Sequence, residues 1–321
     1  MVKRHFSMSI KLVVVILSIL LVACTSSSAT IEPVTLRIAV LPILDALPMY
    51  VAQENGYFES NGIQVEFIPV GSAAERDQVM AAGQADGMIN DLVSTLLYNQ
   101  DTTQIQVVSF ARTATPKFPQ YRILAAKDSG IKSVEDLKGV EIGISEGSVI
   151  EYTTDRFLEA AGFQPSEIVT IAVPSIPVRM SLLDSGELMA ANLPDPLSSL
   201  AIQNGAVPII DDSTYPQYGN SLFSFRKSVI DENPEAIRDF LSAVEKAAQE
   251  INSDPSQWDG LLTEKQLVPQ PLIGSYDIPR FPTGSVPSEA QWDDVVAWGI
   301  EEGLITDQVS YEQSVSTEYL P

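Results

Sequence analysis

One cysteine and one histidine occur in 321 residues. A lone thiol cannot close an intramolecular disulfide, and both residues, Cys24 and His5, lie near the start of the chain. Everything after Cys24 therefore lacks the residues for Ser–His catalysis, thiolate attack or a Cys/His zinc site. Basic residues are also scarce, with 19 Lys and Arg against 42 Asp and Glu, a formal net charge of −23. Such a surface repels nucleic acid and anionic lipid headgroups. The apolar run Leu12–Ala23 is too short for a transmembrane helix, which needs roughly 20 residues. No Asp-rich loop has calcium or magnesium spacing, and no Gly-rich loop leads into Lys-Ser or Lys-Thr. Neither a metal nor a cofactor is implied.

What is present begins with a basic start (Lys3, Arg4, Lys11), a short apolar core and a small residue before Cys24, the pattern of a secretory signal. The stretch Leu21-Val22-Ala23-Cys24 also resembles a bacterial lipobox. Residues 1–23 are thus expected to be a signal peptide and Cys24 the lipidated first mature residue, with 24–33 a flexible Ser/Thr-rich tether. Loss of the signal makes the mature chain still more acidic, so only the lipid should hold it at a membrane. The length that remains exceeds the usual single core, and two lobes are expected.

The body alternates strands and helices. Leu36–Leu41, Val65–Ile68, Gly87–Ile89, Val107–Phe110 and Val140–Ile144 read as strands. Ser72-Ala73-Ala74-Glu75 and Ser148-Val149-Ile150-Glu151 read as capping boxes that open helices. This alternation predicts a parallel-rich α/β sheet. The pattern also recurs: "RMSLLDSG" (179–186) echoes "RDQVMAAG" (76–83), and in each case an apolar strand ending in Asp follows. Two similar modules point to two similar lobes. Ser221–Phe225 reads as a return strand. Asn233-Pro234 then opens a helix whose apolar face is Ile237, Phe240, Leu241, Val244, Ala247, Ala248 and Ile251.

Three acids, Asp45, Asp91 and Asp195, stand where a strand hands over to a helix. Each has two compatible readings: a cap on free helix N–H groups, or a ligand contact. Ligands of parallel α/β sheets sit beyond the carboxyl ends of the strands, where Ser72 and Ser148 also fall.

The strings "LRIAVLP…YVAQENGYFESNGIQVEFIPVGSAAE", "AAGQADG", "SGIKSVEDLKGVEIGISEGS" and "LPDPLSSLAIQNGA", in this order after a lipobox, carry a resemblance. From about residue 34 to 321 the chain resembles the solute-binding proteins of ABC importers, in the group of nitrate, sulfonate, taurine and thiamine-pyrimidine-precursor binders. The resemblance implies a periplasmic-binding-protein type II-like fold. Lobe 1 would comprise 34–112 and 213–321, and lobe 2 would comprise 120–211. Two crossing hinge segments would run near Ala111–Arg122 and Asp212–Gly219. It places a cleft at Asp45, Leu47, Ser72, Asn90, Asp91, Gly147, Ser148 and Asp195, with Arg112 and Tyr215 at the hinge.

The implied partners are a small-molecule ligand, an ABC permease and its ATPase; no nucleic acid partner is expected, and the protein should be monomeric. Three acids at the rim favour a hydrogen-bond-donating solute such as an amine or aminopyrimidine over a bare anion, although small anions such as nitrate or a sulfonate stay open. A ligand-binding sensor is an alternative. Enzymes of this fold exist, but without His or thiol the chain reads as a binder.

Overall fold

The computed structural model describes residues 33–321; the expected signal peptide, Cys24 and nearly all of the expected tether lie outside them. The first sheet holds β1 (Val34–Val40), β2 (Ile63–Pro69), β3 (Gly87–Asn90), β4 (Ile105–Thr113) and β10 (Asn220–Arg226), in the order β2-β1-β3-β10-β4. The second holds β5 (Tyr121–Ala125), β6 (Glu141–Ile144), β7 (Val169–Ala172), β8 (Ala190–Pro194) and β9 (Val207–Asp211), in the order β7-β6-β8-β5-β9. The chain is thus a two-lobed α/β protein.

The two orders are the same plan used twice. Three parallel strands come first in each sheet, β2-β1-β3 and β7-β6-β8. Next comes a strand arriving from the other sheet, β10 or β5, which runs antiparallel to both its neighbours. The edge is the strand that leaves, β4 or β9. The sheets are therefore mixed rather than uniformly parallel, because each crossing between lobes ends in an antiparallel strand.

Helices of eight residues or more flank these sheets: α1 (Leu47–Glu54), α2 (Ala73–Ala81), α3 (Leu92–Asn99), α4 (Val149–Ala160), α5 (Ile176–Ser185), α6 (Leu197–Asn204), α7 (Pro234–Ser253) and α8 (Glu289–Glu301). Among the described residues no helix is long and apolar enough to cross a membrane. Helix α7 buries every position of its expected apolar face. Phe240 stacks on Phe58 at 5.5 Å between centroids and meets Phe223 and Phe225 edge-on. At about 1.5–3 kcal/mol per large apolar side chain, this face alone anchors the return to the first lobe. Pro234 sits in the first turn as expected, but Asn233 makes no side-chain cap.

At the second crossing the buried carboxylate of Asp212 accepts from the backbone N–H groups of Gln120 at 2.8 Å and Tyr121 at 3.2 Å, tying the two crossings together. Gly219 is required beside it, since a Cβ there would lie 1.9 Å from Asp212 Oδ2.

Candidate functional site

The helix starts facing the cleft are built by local sequence. Ser72 accepts from Glu75 N–H at 3.2 Å, while the Glu75 carboxylate accepts from Gly71 N–H at 2.7 Å. Ser148 accepts from Ile150 N–H at 3.2 Å, and the Glu151 carboxylate accepts from Gly147 N–H at 2.6 Å. The same Gly-Ser-x-x-Glu turn thus opens α2 in one lobe and α4 in the other. Asp91 caps α3 by accepting from Ser94 N–H at 2.8 Å.

Asp45 and Asp195 correct the capping expectation. Asp45 lies inside a 3-10 turn (Leu44–Ala46), and neither Ala46 nor Pro196, the residues that precede α1 and α6, gives a side-chain cap. Both carboxylates turn instead to one guanidinium. Arg112 Nη1 donates to Asp45 at 3.3 Å and Nη2 to Asp195 at 3.1 Å, with all three residues buried. Asp195 also accepts from Arg122 at 2.9 Å and from the hydroxyls of Ser199 and Tyr276.

The electrostatics follow. Burial outweighs the pull of Arg112 at Asp45, so its carboxyl is raised above the usual range. Burial alone would raise Asp195 too, but Arg112, Arg122 and the two hydroxyls hold it below its ordinary value. Asp91, 3.7 Å from Arg76, is raised, because burial again exceeds the arginine's effect.

Between the sheets lies an inner chamber of about 80 Å³. Asp45, Asn90 and Asp91 wall it from the first lobe and Ser148, Ile150 and Arg179 from the second. It adjoins an outer space of about 520 Å³, the two sharing Leu41, Ile43, Ile176 and Pro194 as a neck. Asp195 lines the outer space. Gly71 and Ala73, the neighbours of Ser72, line the outer and inner spaces respectively.

Ser72 itself lines neither space, and four other expected positions fall elsewhere. Leu47 is fully buried in the core beneath α1, on the wall of neither space. Tyr215 stacks on Phe157 at 6.3 Å and leans on Tyr218, away from the chamber. Gly147 serves by backbone, with φ of 63° and its N–H on Glu151. Arg112 sits behind Asp45, binding the wall together rather than forming its surface.

Two arginines that the sequence reading did not place at the cleft also line the chamber. Arg76 donates to the carbonyl of Ile89 at 3.4 Å, and Arg179 to that of Asn192 at 2.9 Å, each thirteen residues further on. The repeated arginine is thus a matched device: it clamps its helix to the strand that follows and reaches the chamber. Arg76 meets carboxylates, Asp77 at 2.8 Å and Asp91. Arg179 does not. It is wholly buried, and among the described residues it donates otherwise only to the carbonyls of Val173 and Pro174, leaving its Nη2 without a hydrogen-bond partner. Burial lowers this guanidinium to about 10, which leaves it charged at neutral pH.

The acids that suggested a hydrogen-bond-donating solute each lie beside an arginine: Asp45 and Asp195 share Arg112, and Asp91 is 3.7 Å from Arg76.

Comparison with known proteins agrees with this architecture. The chain is 22% identical over 326 residues to the formylaminopyrimidine-binding protein of Halalkalibacterium halodurans, covering 90% of this chain and 93% of that protein. It is 21% identical over 243 residues to the nitrate/nitrite binding protein of a Nostoc species, covering 70% of this chain but 55% of that relative. The chain thus matches only about half the length of the latter. The crystal structure of the periplasmic aliphatic sulphonate binding protein of Escherichia coli superimposes with a TM-score of 0.74 at 21% identity, covering 88% of this chain and 97% of that one. The profile of the NMT1/THI5 like family matches residues 44–258, more than half of the sequence, and the chain belongs to that family.

Proposed function

We propose that this chain is the exported solute-binding subunit of an ABC importer, held to the membrane by lipid on Cys24. It captures a small organic solute between its lobes and presents the closed form to a permease and its ATPase. The observation that carries this reading is that polar and charged side chains from both sheets converge on one chamber. A solute held there contacts both halves only when they are together, so binding and closure are one event. Relatives named for binding nitrate/nitrite and formylaminopyrimidine support capture without chemistry.

The test is small-angle scattering of the mature domain, with and without a panel of sulfonates, carboxylates, amines, aminopyrimidines and nitrate. The true solute should reduce the radius of gyration and raise the melting temperature. At 100 times Kd, linkage gives about 2.7 kcal/mol of added stability. A panel in which stabilising solutes leave the dimensions unchanged refutes capture by closure.

A further inference from the structure

Among the described residues on the chamber wall, Arg179 is the charged group without an ion-pair partner. Asp45 is held by Arg112 and Asp91 by Arg76. Arg76 also contacts Asp77, but that carboxylate is more than a third exposed and screened by solvent. Among the described residues no carboxylate pairs with Arg179, whose Nη2 is the buried donor left unmet on this wall. A buried cation without a counter-ion is a strong reason for an anion to enter, and a planar guanidinium suits an oxyanion. A cationic amine would meet a like charge there.

Size and polarity then divide the cleft. Organic ligands commonly occupy roughly 300–1,000 Å³. The inner chamber, at about 80 Å³, admits a headgroup and little else. The outer space, at about 520 Å³, has room for a molecular body, and Pro42, Ile43, Pro177, Leu197, Leu267 and Val268 make much of its wall apolar.

We infer that Arg179 selects the solute, and that the solute is an organic monoanion whose charged head enters the inner chamber while an apolar body fills the outer one. This rests on the cleft being the solute site. Bare inorganic anions leave the outer space unfilled, and neutral heterocycles leave Arg179 unpaired.

The experiment is calorimetric titration with hexane-1-sulfonate and heptanoate, against heptanamide, hexylamine and nitrate, followed by scattering on each mixture. Both organic anions should bind at least about tenfold more tightly than heptanamide, the difference expected of one charge-assisted contact. Hexylamine and nitrate should be weaker still. In Arg179→Gln the preference for heptanoate over heptanamide should fall to within about twofold, and Arg179→Lys should retain part of it. Arg179 also holds the carbonyls of Val173 and Asn192, so the comparison of heptanoate with heptanamide on the unaltered protein stands alone should either variant fail to fold. Equal binding of heptanamide or hexylamine, or an undiminished preference in Arg179→Gln, overturns the assignment. Closure by an aminopyrimidine but by neither anion overturns the ligand class and leaves capture standing. If no solute of either panel closes the lobes, both readings fall.

Discussion

Replacing Arg112 with Gln removes one cation from between two buried carboxylates, and the consequences differ for the two. Asp195 keeps Arg122 at 2.9 Å and the hydroxyls of Ser199 and Tyr276. Asp45 keeps only the hydroxyl of Ser221 to favour its ionised form, and its side chain is 7% exposed. The loss should therefore be that of a single buried charge stripped of its partner, about 3–5 kcal/mol. On the scaling for large domains this is roughly 6–10 °C in melting temperature. Adding Asp45→Asn to Arg112→Gln removes the stranded charge and should recover at least half of that loss. Lowering the pH should do likewise, because the Asp45 carboxyl, already raised by burial with Arg112 present, would take up a proton more readily without it. Urea unfolding of the wild type, both single variants and the double variant at pH 5.5 and 7.5 measures each term. Equal destabilisation of Arg112→Gln and the double variant, with no gain at the lower pH, would refute the claim that Arg112 acts by neutralising Asp45.

Asp212 carries a second pH effect. Burial lifts its carboxyl to about 7 from an unperturbed 3.8, so its contribution is fully present below 3.8 and lost as pH rises through 7. For this group alone, stability should be about 2 kcal/mol lower at pH 7.5 than at 5.5, and Asp212→Asn should flatten that dependence in a pH series of urea unfolding curves. Leu47→Ala should cost about 2–5 kcal/mol by leaving a cavity, with solute affinity unchanged in calorimetry once the variant is folded; a large affinity loss would return Leu47 to the site. Ser72→Ala and Ser148→Ala should each cost about 1 kcal/mol through lost caps, read by thermal unfolding.

Much of the fold was legible because its determinants are local. Caps at Ser72, Ser148 and Asp91 depend on partners two or three residues away. The face of α7 follows from helical period alone. Asp45 and Asp195 could be placed at strand ends, but their partner is 67 and 83 residues distant, and for Asp195 it lies in the other lobe. Capping was the local reading, and a long-range ion pair displaced it. Leu47 was placed at the cleft by the resemblance alone, and the structure buries it in the core instead. Arg179 had a visible signal in the echo of residues 76–83. What the echo does not contain is that the first arginine finds carboxylates and the second finds none.

That asymmetry bears on how closure can be controlled. Arg112, on β4 just before the first crossing, joins a carboxylate of each lobe, and Tyr276 adds a bond to the second from the C-terminal part of the chain. Parting the lobes would let water replace these bonds, and buried ion pairs gain little over their hydrated components. In the proposed capture the paired network would fix how the lobes meet without strongly favouring their meeting. Arg179 is different: it donates to backbone carbonyls of its own lobe, but among the described residues it meets no carboxylate, so under the proposed capture a solute anion would supply its missing counter-charge. If the lobes close as proposed, closure without cargo would leave that guanidinium without a counter-ion, and an anionic solute would favour the closed form by supplying one.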